Sequence, residues 1–273
     1  MHLLGSRRPR HGALGIAVIF ALTAAFAAAS GSAAPSRAAA GTLAFCSDVT
    51  YPPEEFYQGT KAVGSDIDIG TEIAKRLGLK AKFQNTGFDG IIAALLAKRC
   101  DAVISGMNDT PKRRKQVAFV DYLSVGQSLM VKKGNPKGIH KFADLSGKSV
   151  SVEVGTTNKD FLDQENKLLK KKGKSVIKIV TFPKDTDAAA ALKAGRVDAY
   201  FGDTPVVAYY IRRDPAFGFG VSPISPIPVG IAIRKGDPLI AKVQKAVDAM
   251  YADGTMRKIL RKWQMESVAL KGK

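Results

Sequence analysis

Histidine, cysteine and tryptophan are scarce in this chain, which has three His, two Cys and one Trp among 273 residues. A structural zinc site needs about four Cys or His ligands, and a Ser-His-Asp or Cys-His nucleophile needs a His beside it. Only His140 lies beyond residue 40. We therefore expect no metal site, no cofactor and no enzymatic activity.

Acidic residues are absent from the first 40 positions, which hold four Arg. Arginines within residues 7–10 precede an apolar run at 13–29, which is short for a membrane span of about 20 residues and typical of a secretory signal peptide. Cleavage after Ala29 and cleavage after Ala40 both fit. No Cys stands near either position, so we predict a periplasmic protein without a lipid anchor.

The remaining 233 residues carry +14 of the net charge of +18. A basic balance is compatible with nucleic acid, an anionic surface or solubility alone. Export excludes most nucleic-acid roles, and the lysines of 170–174 have no interleaved aromatic residue. This segment is interpreted as a solvated loop, and we expect no nucleic-acid partner.

Cys46 and Cys100 could pair, because a secreted protein folds in an oxidising compartment. However, Cys46 is predicted near the C-terminal end of one strand and Cys100 just before another strand begins. On parallel neighbours this separates them along the strand direction, whereas a bridge needs Cα atoms within about 7 Å. The strand positions argue against a disulfide.

Two series of short apolar runs alternate with helical patterns. The first predicts strands at 42–46, 80–83 and 102–105 and two helices, one through Ile69, Ile73 and Leu77 and one through Ile91–Leu96. The second predicts strands at 149–154, 176–180 and 197–201 and helices at 159–169 and 187–194. Such a β-α-β-α-β order implies an α/β fold, with parallel strands covered by helices.

The two series also resemble one another in sequence. Residues 93–102 match residues 190–199 at seven of ten positions, including an Arg-x-Asp-Ala corner where a helix leads into a strand. We interpret the chain as two similar α/β lobes.

Two connections between the lobes are predicted. The first is extended around 122–129, and the second, at 221–228, contains three prolines and suits a stiff, extended segment. If the helices at 238–250 and 254–263 return to the first lobe, the lobes are joined by a two-pass hinge. The predicted organisation is a signal peptide and Ala-rich linker at 1–40, lobe I at 41–126 plus 226–273, and lobe II at 127–225.

Several motifs, in this order and spacing, carry a family resemblance: Tyr51-Pro52-Pro53, Asp66-Ile67-Asp68-Ile69, Phe88-Asp89-Gly90, Asp101–Met107 and Thr110-Pro111-Lys112-Arg113. Essentially the whole chain beyond residue 40 resembles the periplasmic polar amino-acid binding proteins of ATP-driven (ABC) importers, bacterial extracellular solute-binding proteins of family 3. The resemblance implies a type II periplasmic binding fold whose lobes close on a ligand. It also implies a monomer that works with a membrane permease.

Arg113 is the predicted carboxylate clamp. Thr110 and Pro111 form a helix start that places Arg113 in the first turn, and a guanidinium meets a carboxylate with two hydrogen bonds. The resemblance implies that Arg113 holds the ligand's α-carboxylate. It also implies that Thr156 and Thr157, which follow a strand and open a helix, close on the same carboxylate.

Asp203 follows a predicted strand and precedes a helix start. The resemblance implies that its carboxylate pairs with the ligand's α-amine, although an acid at a helix N-terminus is also favourable through the dipole alone. The other predicted site residues are Asp48, Tyr51, Phe88, Ser105, Gly106, Met107 and Asn108. Tyr51 and Phe88 are expected as aromatic walls, and Ser105 and Gly106 stand at a strand's C-terminal end, where α/β sheets place ligands.

The acids left near the predicted cleft are Asp48, Glu54, Glu55 and Glu153, and no second Arg is placed to meet an acidic side chain. We therefore predict a cationic or amide amino acid as the ligand. Glu54 stands where the family often has an aromatic residue, and it is interpreted either as a specificity acid or as a surface residue.

Two rival functions use the same fold. Some secreted dehydratases of prephenate-like acids resemble it, and such a reaction needs a poised acid or base, for which Glu54 or Glu153 could serve. A receptor sensor domain is the third class, which the lack of a downstream membrane span in the sequence disfavours. The sequence leaves the ligand, its affinity and the importer undetermined.

Overall fold

The computed structural model describes residues 41–224, 226–270 and 272. The predicted signal peptide and linker, with both candidate cleavage positions, lie outside these residues. None of the helices in the described part of the chain combines the length and the apolar character that a membrane span requires.

Strands and helices alternate along the described part of the chain. In chain order the strands are β1 (Thr42–Ser47), β2 (Thr50–Tyr51), β3 (Glu55–Gln58), β4 (Lys61–Val63), β5 (Lys80–Asn85), β6 (Ala102–Val103), β7 (Val117–Val125), β8 (Gln127–Lys132), β9 (Ser149–Glu153), β10 (Lys178–Phe182), β11 (Ala199–Asp203), β12 (Phe217–Val221) and β13 (Ile227–Arg234). The helices are α1 (Ser65–Arg76), α2 (Ile91–Leu96), α3 (Pro111–Arg114), α4 (Thr157–Lys171), α5 (Asp185–Lys193), α6 (Thr204–Arg213), α7 (Leu239–Ala252) and α8 (Thr255–Lys262).

The first lobe is built on a five-stranded sheet in the order β5-β1-β6-β13-β7. Its first three strands are parallel, but β13 is antiparallel to β6 and to β7. The sheet is therefore mixed, because β7 and β13 belong to the hinge passes and not to the β-α-β series. Strands β2, β3 and β4 form a separate small sheet, which the apolar periodicity did not predict.

Alternation along β1 explains how both faces of this sheet are covered. Leu43 and Phe45 join the core cluster that contains α1, α7 and α8 residues, whereas Ala44 and Cys46 join the cluster around α2. Successive side chains of a strand point to opposite faces, so one short apolar strand serves two layers of helices. The C-terminal helices thus pack on the first sheet.

The second lobe repeats the plan with the sheet order β10-β9-β11-β8-β12. Helix α4 packs on one face, and α5 and α6 pack on the other. Strand β8 runs antiparallel to β11 and β12, so this sheet is also mixed. Strands β8 to β12 lie in the second sheet, and β7 and β13 lie in the first. This arrangement supports the lobe boundaries at residues 126 and 226, which stay a prediction.

The sequence repeat has a structural counterpart at the start of each sheet. Asp101 accepts a hydrogen bond from the backbone N–H of Ala44 at 2.8 Å, and Asp198 accepts one from Ser149 at 2.8 Å. Each Asp backbone N–H returns a bond to the same partner's carbonyl. The repeated acid therefore ties the helix-to-strand corner to the first residues of the neighbouring strand.

Cys46 and Cys100 form a disulfide with their Cα atoms 5.7 Å apart, so the prediction against a bridge is wrong. The start of β6 does not pair with the start of β1, because Ala102 lies opposite Phe45. Strand β6 is two residues long and pairs only with the C-terminal half of β1, with Cys46 opposite Val103. This stagger brings Cys100, two residues before β6, close to β1.

The two chain passes between the lobes contact one another. Ile224 donates its backbone N–H to Gln127 O at 3.0 Å. A Cβ added to Gly126 would lie 2.8 Å from Ile224 O, so this close approach requires glycine at 126.

Candidate functional site

A cavity lies between the two lobes, at the C-terminal ends of β1, β6, β9 and β11. Its lining residues are Asp48, Tyr51, Phe88, Gly106, Asn108, Glu153, Thr156, Thr157, Asn158 and Asp203. Eight of these belong to the predicted site. Ser105, Met107 and Arg113 belong to that prediction but do not line the cavity.

Two wider grooves elsewhere, each with a volume of about 350 Å³, are lined largely by exposed side chains. The cavity differs from them because its charged groups are buried. The side chains of Asp48, Glu153 and Asp203 are each no more than 3 % exposed. Buried charges without partners are costly, so a ligand that pairs with these acids would be stabilised in this cavity.

Arg113 stands at the edge of the cavity in the first turn of α3. Its backbone N–H is bonded by the cap residue Thr110 at 3.2 Å, as the sequence predicts. The guanidinium donates to Asn108 O at 2.8 Å and to Gly155 O of the second lobe at 3.1 Å, and it lies 5.2 Å from the centre of the Phe88 ring. A guanidinium has five N–H donors, so further donors stay available for a carboxylate.

Asp203 occupies the second-lobe side of the cavity, at the end of β11. Its side chain accepts a hydrogen bond from Asn158 at 3.3 Å, and its backbone N–H donates to the Tyr51 hydroxyl at 3.2 Å. Burial raises the pKa of Asp203 to about 6, although Arg113 and the hydrogen bonds oppose this shift. The folded protein therefore lacks a full counter-charge for this carboxylate.

The N-terminus of α4 supplies hydrogen-bond donors to the cavity. Thr156 caps the helix by accepting from the Lys159 N–H at 3.2 Å, and its hydroxyl donates to Glu153 O. Thr157 donates to Asn108 Oδ1 at 2.6 Å, across the two lobes. Thr156 is therefore a helix cap, and the first backbone N–H groups of a helix are free to bind an anion.

Asp48 lies on the first-lobe side of the cavity. Its carboxylate accepts hydrogen bonds from the Thr50 hydroxyl at 2.7 Å and from the Phe88 backbone N–H at 2.7 Å. Its own backbone N–H donates to the Ser105 hydroxyl at 2.9 Å. Ser105 therefore acts behind the cavity, where it holds the Asp48 loop in place.

Tyr51 and Gly106 are packed against each other. Gly106 has a φ of +50°, and a Cβ there would lie 3.1 Å from the Tyr51 ring. Glycine at 106 thus lets the strand end turn sharply under the aromatic wall. Met107, the next residue, is buried in the α2 core cluster and does not line this cavity, so its role in ligand binding stays a prediction.

Glu153 and Asn158 line the cavity but were absent from the predicted site. Glu153 was recognised only as an acid near the cleft, although it directly precedes the segment 154–157 that opens α4. Burial and the neighbouring Asp185 and Asp48 raise its pKa well above the usual range. Asn158 is the second residue of α4. Its place directly after Thr156 and Thr157, which open the helix, was the signal in the sequence that could have identified it.

A second group of acids lies behind the cavity in the first lobe. Glu54, Glu55 and Asp66 are buried. Asp66 accepts from the Gly106 N–H at 2.8 Å and from the Tyr122 hydroxyl at 2.7 Å. Glu54 is buried, so its interpretation as a surface residue is wrong. It does not line the cavity, so its interpretation as a specificity acid has no contact in this cavity to support it.

Glu54 gives a stability prediction. Burial, followed by the charges of Asp66 and Asp203, raises its pKa well above the ordinary value. In the window above about pH 4.5 the folded state holds a proton that the unfolded chain has lost, so stability falls as pH rises. Glu54→Gln removes this dependence, and we expect it to raise the melting temperature at pH 8 and to change it little at pH 4.

Thermal unfolding followed by circular dichroism at both pH values tests this expectation. Glu165→Gln, on the partly exposed face of α4, is the matched control and should shift the melting temperature little at either pH. An equal effect of Glu54→Gln at pH 4 and pH 8 contradicts the assignment of a neutral buried carboxyl.

Within the described residues, no group of three or more His, Cys, Asp and Glu side chains is arranged to hold a metal ion. The three acids that line the cavity stand on opposite walls. Together with Arg113 they form a site for complementary charges on an organic ligand.

Comparison with known proteins relates the chain to others of similar length. Residues 43–266 match the model of bacterial extracellular solute-binding proteins, family 3. The ABC transporter arginine-binding protein 1 of Escherichia coli K12 is 34 % identical over 233 residues, covering 82 % of this chain and 91 % of that protein. Other similar curated proteins are named as histidine-binding and L-cystine-binding proteins.

Solved structures agree with this relationship. An ancestral arginine-binding protein bound to arginine has a TM-score of 0.75 and 40 % identity, covering 82 % of this chain and 98 % of that one. An ancestral amino acid-binding protein, described as a precursor of cyclohexadienyl dehydratase, has a TM-score of 0.75 and 38 % identity, covering 82 % and 96 %.

Proposed function

We propose that this chain, which belongs to the bacterial extracellular solute-binding proteins of family 3, captures a free amino acid with a cationic side chain in its cleft. The observation that carries the proposal is the charge of the cavity. Three buried acids, Asp48, Glu153 and Asp203, line it, and one cation, Arg113, stands at its edge. A ligand with a cationic side chain brings the net charge of the cavity closer to zero than a ligand with an amide or acidic side chain does.

The backbone end of the ligand would lie between Arg113 and Asp203. Arg113 and the first N–H groups of α4 would bind the α-carboxylate, and Asp203 would bind the α-ammonium group. Arg113 belongs to the first lobe and Asp203 to the second, so a zwitterion is held fully only when the lobes are together. Closure is then favoured by contacts that the ligand makes in the closed state alone.

The side chain of the ligand would extend toward Asp48 and Glu153. Phe88 and Tyr51 provide flat apolar surfaces beside these acids, as a long side chain with a charged end requires. The protein would act in the periplasm as a monomer and would pass its ligand to the membrane permease of an ATP-driven importer. The arginine-binding relatives support this ligand class.

A thermal-shift screen of the protein against the twenty amino acids, ornithine and citrulline tests the proposal. A ligand at a hundred times its dissociation constant adds about 2.7 kcal/mol to the stability of the folded state. We expect the largest rises in melting temperature with arginine, lysine or ornithine. A larger rise with glutamate or with an apolar amino acid contradicts a cationic ligand.

A dehydratase remains the second candidate, because one similar structure is described as a precursor of cyclohexadienyl dehydratase. Glu153 is the observation that favours it, since a buried carboxyl with a raised pKa can donate a proton. Prephenate turnover discriminates the two functions. Turnover without a thermal shift from any amino acid supports the enzyme and contradicts the binding protein.

A further inference from the structure

Asp48 and Glu153 form a carboxyl pair across the cavity. Asp48 comes from the loop after β1 in the first lobe, and Glu153 is the last residue of β9 in the second. Each is 3 % exposed, and both line the same cavity. Two ionised carboxylates buried in one cavity repel each other, so such a pair favours keeping one proton.

The surrounding hydrogen bonds place this proton on Glu153. Burial raises the pKa of Asp48 too, but its carboxylate accepts from the Thr50 hydroxyl and from the Phe88 N–H, and such bonds favour the ionised form. Glu153 Oε1 has no partner within the described residues. The pKa of Glu153 is accordingly raised well above its usual range, first by burial.

The charged groups around the pair are mainly acidic. From α5, Asp185 raises the pKa of Glu153, and exposed Lys184 lowers that of Asp48. From the end of β11, Asp203 adds a further negative charge, and from α6 Tyr210 faces Glu153. Arg113 is engaged with Asn108 O and Gly155 O. The pair therefore has more acidic than basic neighbours, which favours keeping Glu153 protonated and neutral.

We propose that the Asp48–Glu153 pair selects the ligand's side chain by exchange, in which the side-chain cation of the ligand takes the place of the proton on Glu153. This inference rests on the proposed function and deepens it. The step is balanced: protonated Glu153 and a cationic ligand give ionised Glu153 paired with the cation, and one proton leaves to solvent. No covalent bond other than the O–H bond of Glu153 breaks.

Exchange predicts a difference between arginine and citrulline, which share the zwitterion and differ in side-chain charge. Arginine keeps its side-chain charge at all accessible pH values, so the released proton comes from the protein. The affinity for arginine relative to citrulline should then rise by about tenfold for each pH unit while Glu153 is protonated in the free protein. Any proton released at Asp203 is common to both ligands and cancels.

Isothermal titration calorimetry at pH 6 in phosphate and in Bis-Tris, which differ in protonation enthalpy, counts the released protons. We expect arginine to release about one proton more than citrulline, as linkage requires. In Glu153→Gln this excess should fall to near zero, and the affinity for arginine relative to citrulline should fall about tenfold or more. An unchanged circular dichroism spectrum shows that the variant is folded. Glu165→Gln, in the same lobe, should behave as the unmodified protein.

The outcomes separate the two proposals. Arginine binding with no excess proton release overturns the exchange and leaves the proposed function standing. An equal excess in Glu153→Gln also overturns it, because the proton then comes from another group. If neither arginine nor any other amino acid binds, the proposed function itself fails.

Discussion

Replacing Arg113 with alanine is expected to weaken amino-acid binding about 100-fold or more while leaving the fold intact. Truncating one partner of a buried, hydrogen-bonded charge pair costs about 2–5 kcal/mol. In the free protein the guanidinium bonds two backbone carbonyls, Asn108 O and Gly155 O, and contacts no carboxylate within 4.0 Å among the described residues. Its removal therefore leaves no buried acid newly unpaired.

The measurement is calorimetric titration of the variant with arginine, together with its thermal unfolding. Lys115→Ala is the matched control, since Lys115 is a nearby exposed cation at the end of α3, and it should bind with unchanged affinity. Arg113→Lys keeps the charge but loses the planar fork, so its affinity should lie between those of Arg113→Ala and the unmodified protein. An unchanged affinity in Arg113→Ala removes this residue from the carboxylate site.

The location of Arg113 illustrates what local sequence rules predict well. A threonine cap followed by proline places the arginine in the first turn, and the structure has that turn with the Thr110 side chain accepting from the Arg113 N–H. The helix-to-strand corners at Asp101 and Asp198 are predicted equally well, because each depends on residues close in the chain and on one neighbouring strand.

Features that depend on the relative placement of distant segments were missed. The Cys46–Cys100 disulfide follows from the stagger of β6 against β1, which no periodicity reveals. Glu54 lies between the short strands β2 and β3, where Asp66 at the start of α1 donates its backbone N–H to Glu54 O at 2.9 Å. Two- to four-residue strands give too little alternation to be recognised.

The cavity also combines features that the local sequence predicts with features that depend on distant segments. Asp48 follows a predicted strand of the first lobe and Glu153 lies near the end of a predicted strand of the second, so the position of each at the C-terminal edge of its own sheet could be anticipated. Their meeting in one cavity could not, because it depends on how the two lobes approach each other. Glu153 was accordingly counted among nearby acids and not among the site residues.

Asp203→Asn is expected to weaken amino-acid binding and to stabilise the protein, two effects of opposite direction. The amide cannot neutralise the ligand's α-ammonium group, and the loss of a buried charged partner should reduce affinity about 100-fold. Calorimetric titration with arginine measures this loss. Asp187→Asn, an exposed acid in the first turn of α5, is the matched control and should leave affinity unchanged.

The gain in stability follows from the pKa of Asp203, which burial raises from 3.8 to about 6. Between these values the folded state binds more protons than the unfolded state, so stability falls as pH rises through the window and the full cost is present above it. Asparagine carries no such cost, and the melting temperature of Asp203→Asn should exceed that of the unmodified protein more at pH 8 than at pH 4. Weaker binding with a lower melting temperature at pH 8 would mean that Asp203 is a structural acid. Weaker binding with a higher one means that the folded protein keeps an unfavourable buried charge at the place where a ligand's ammonium group would neutralise it.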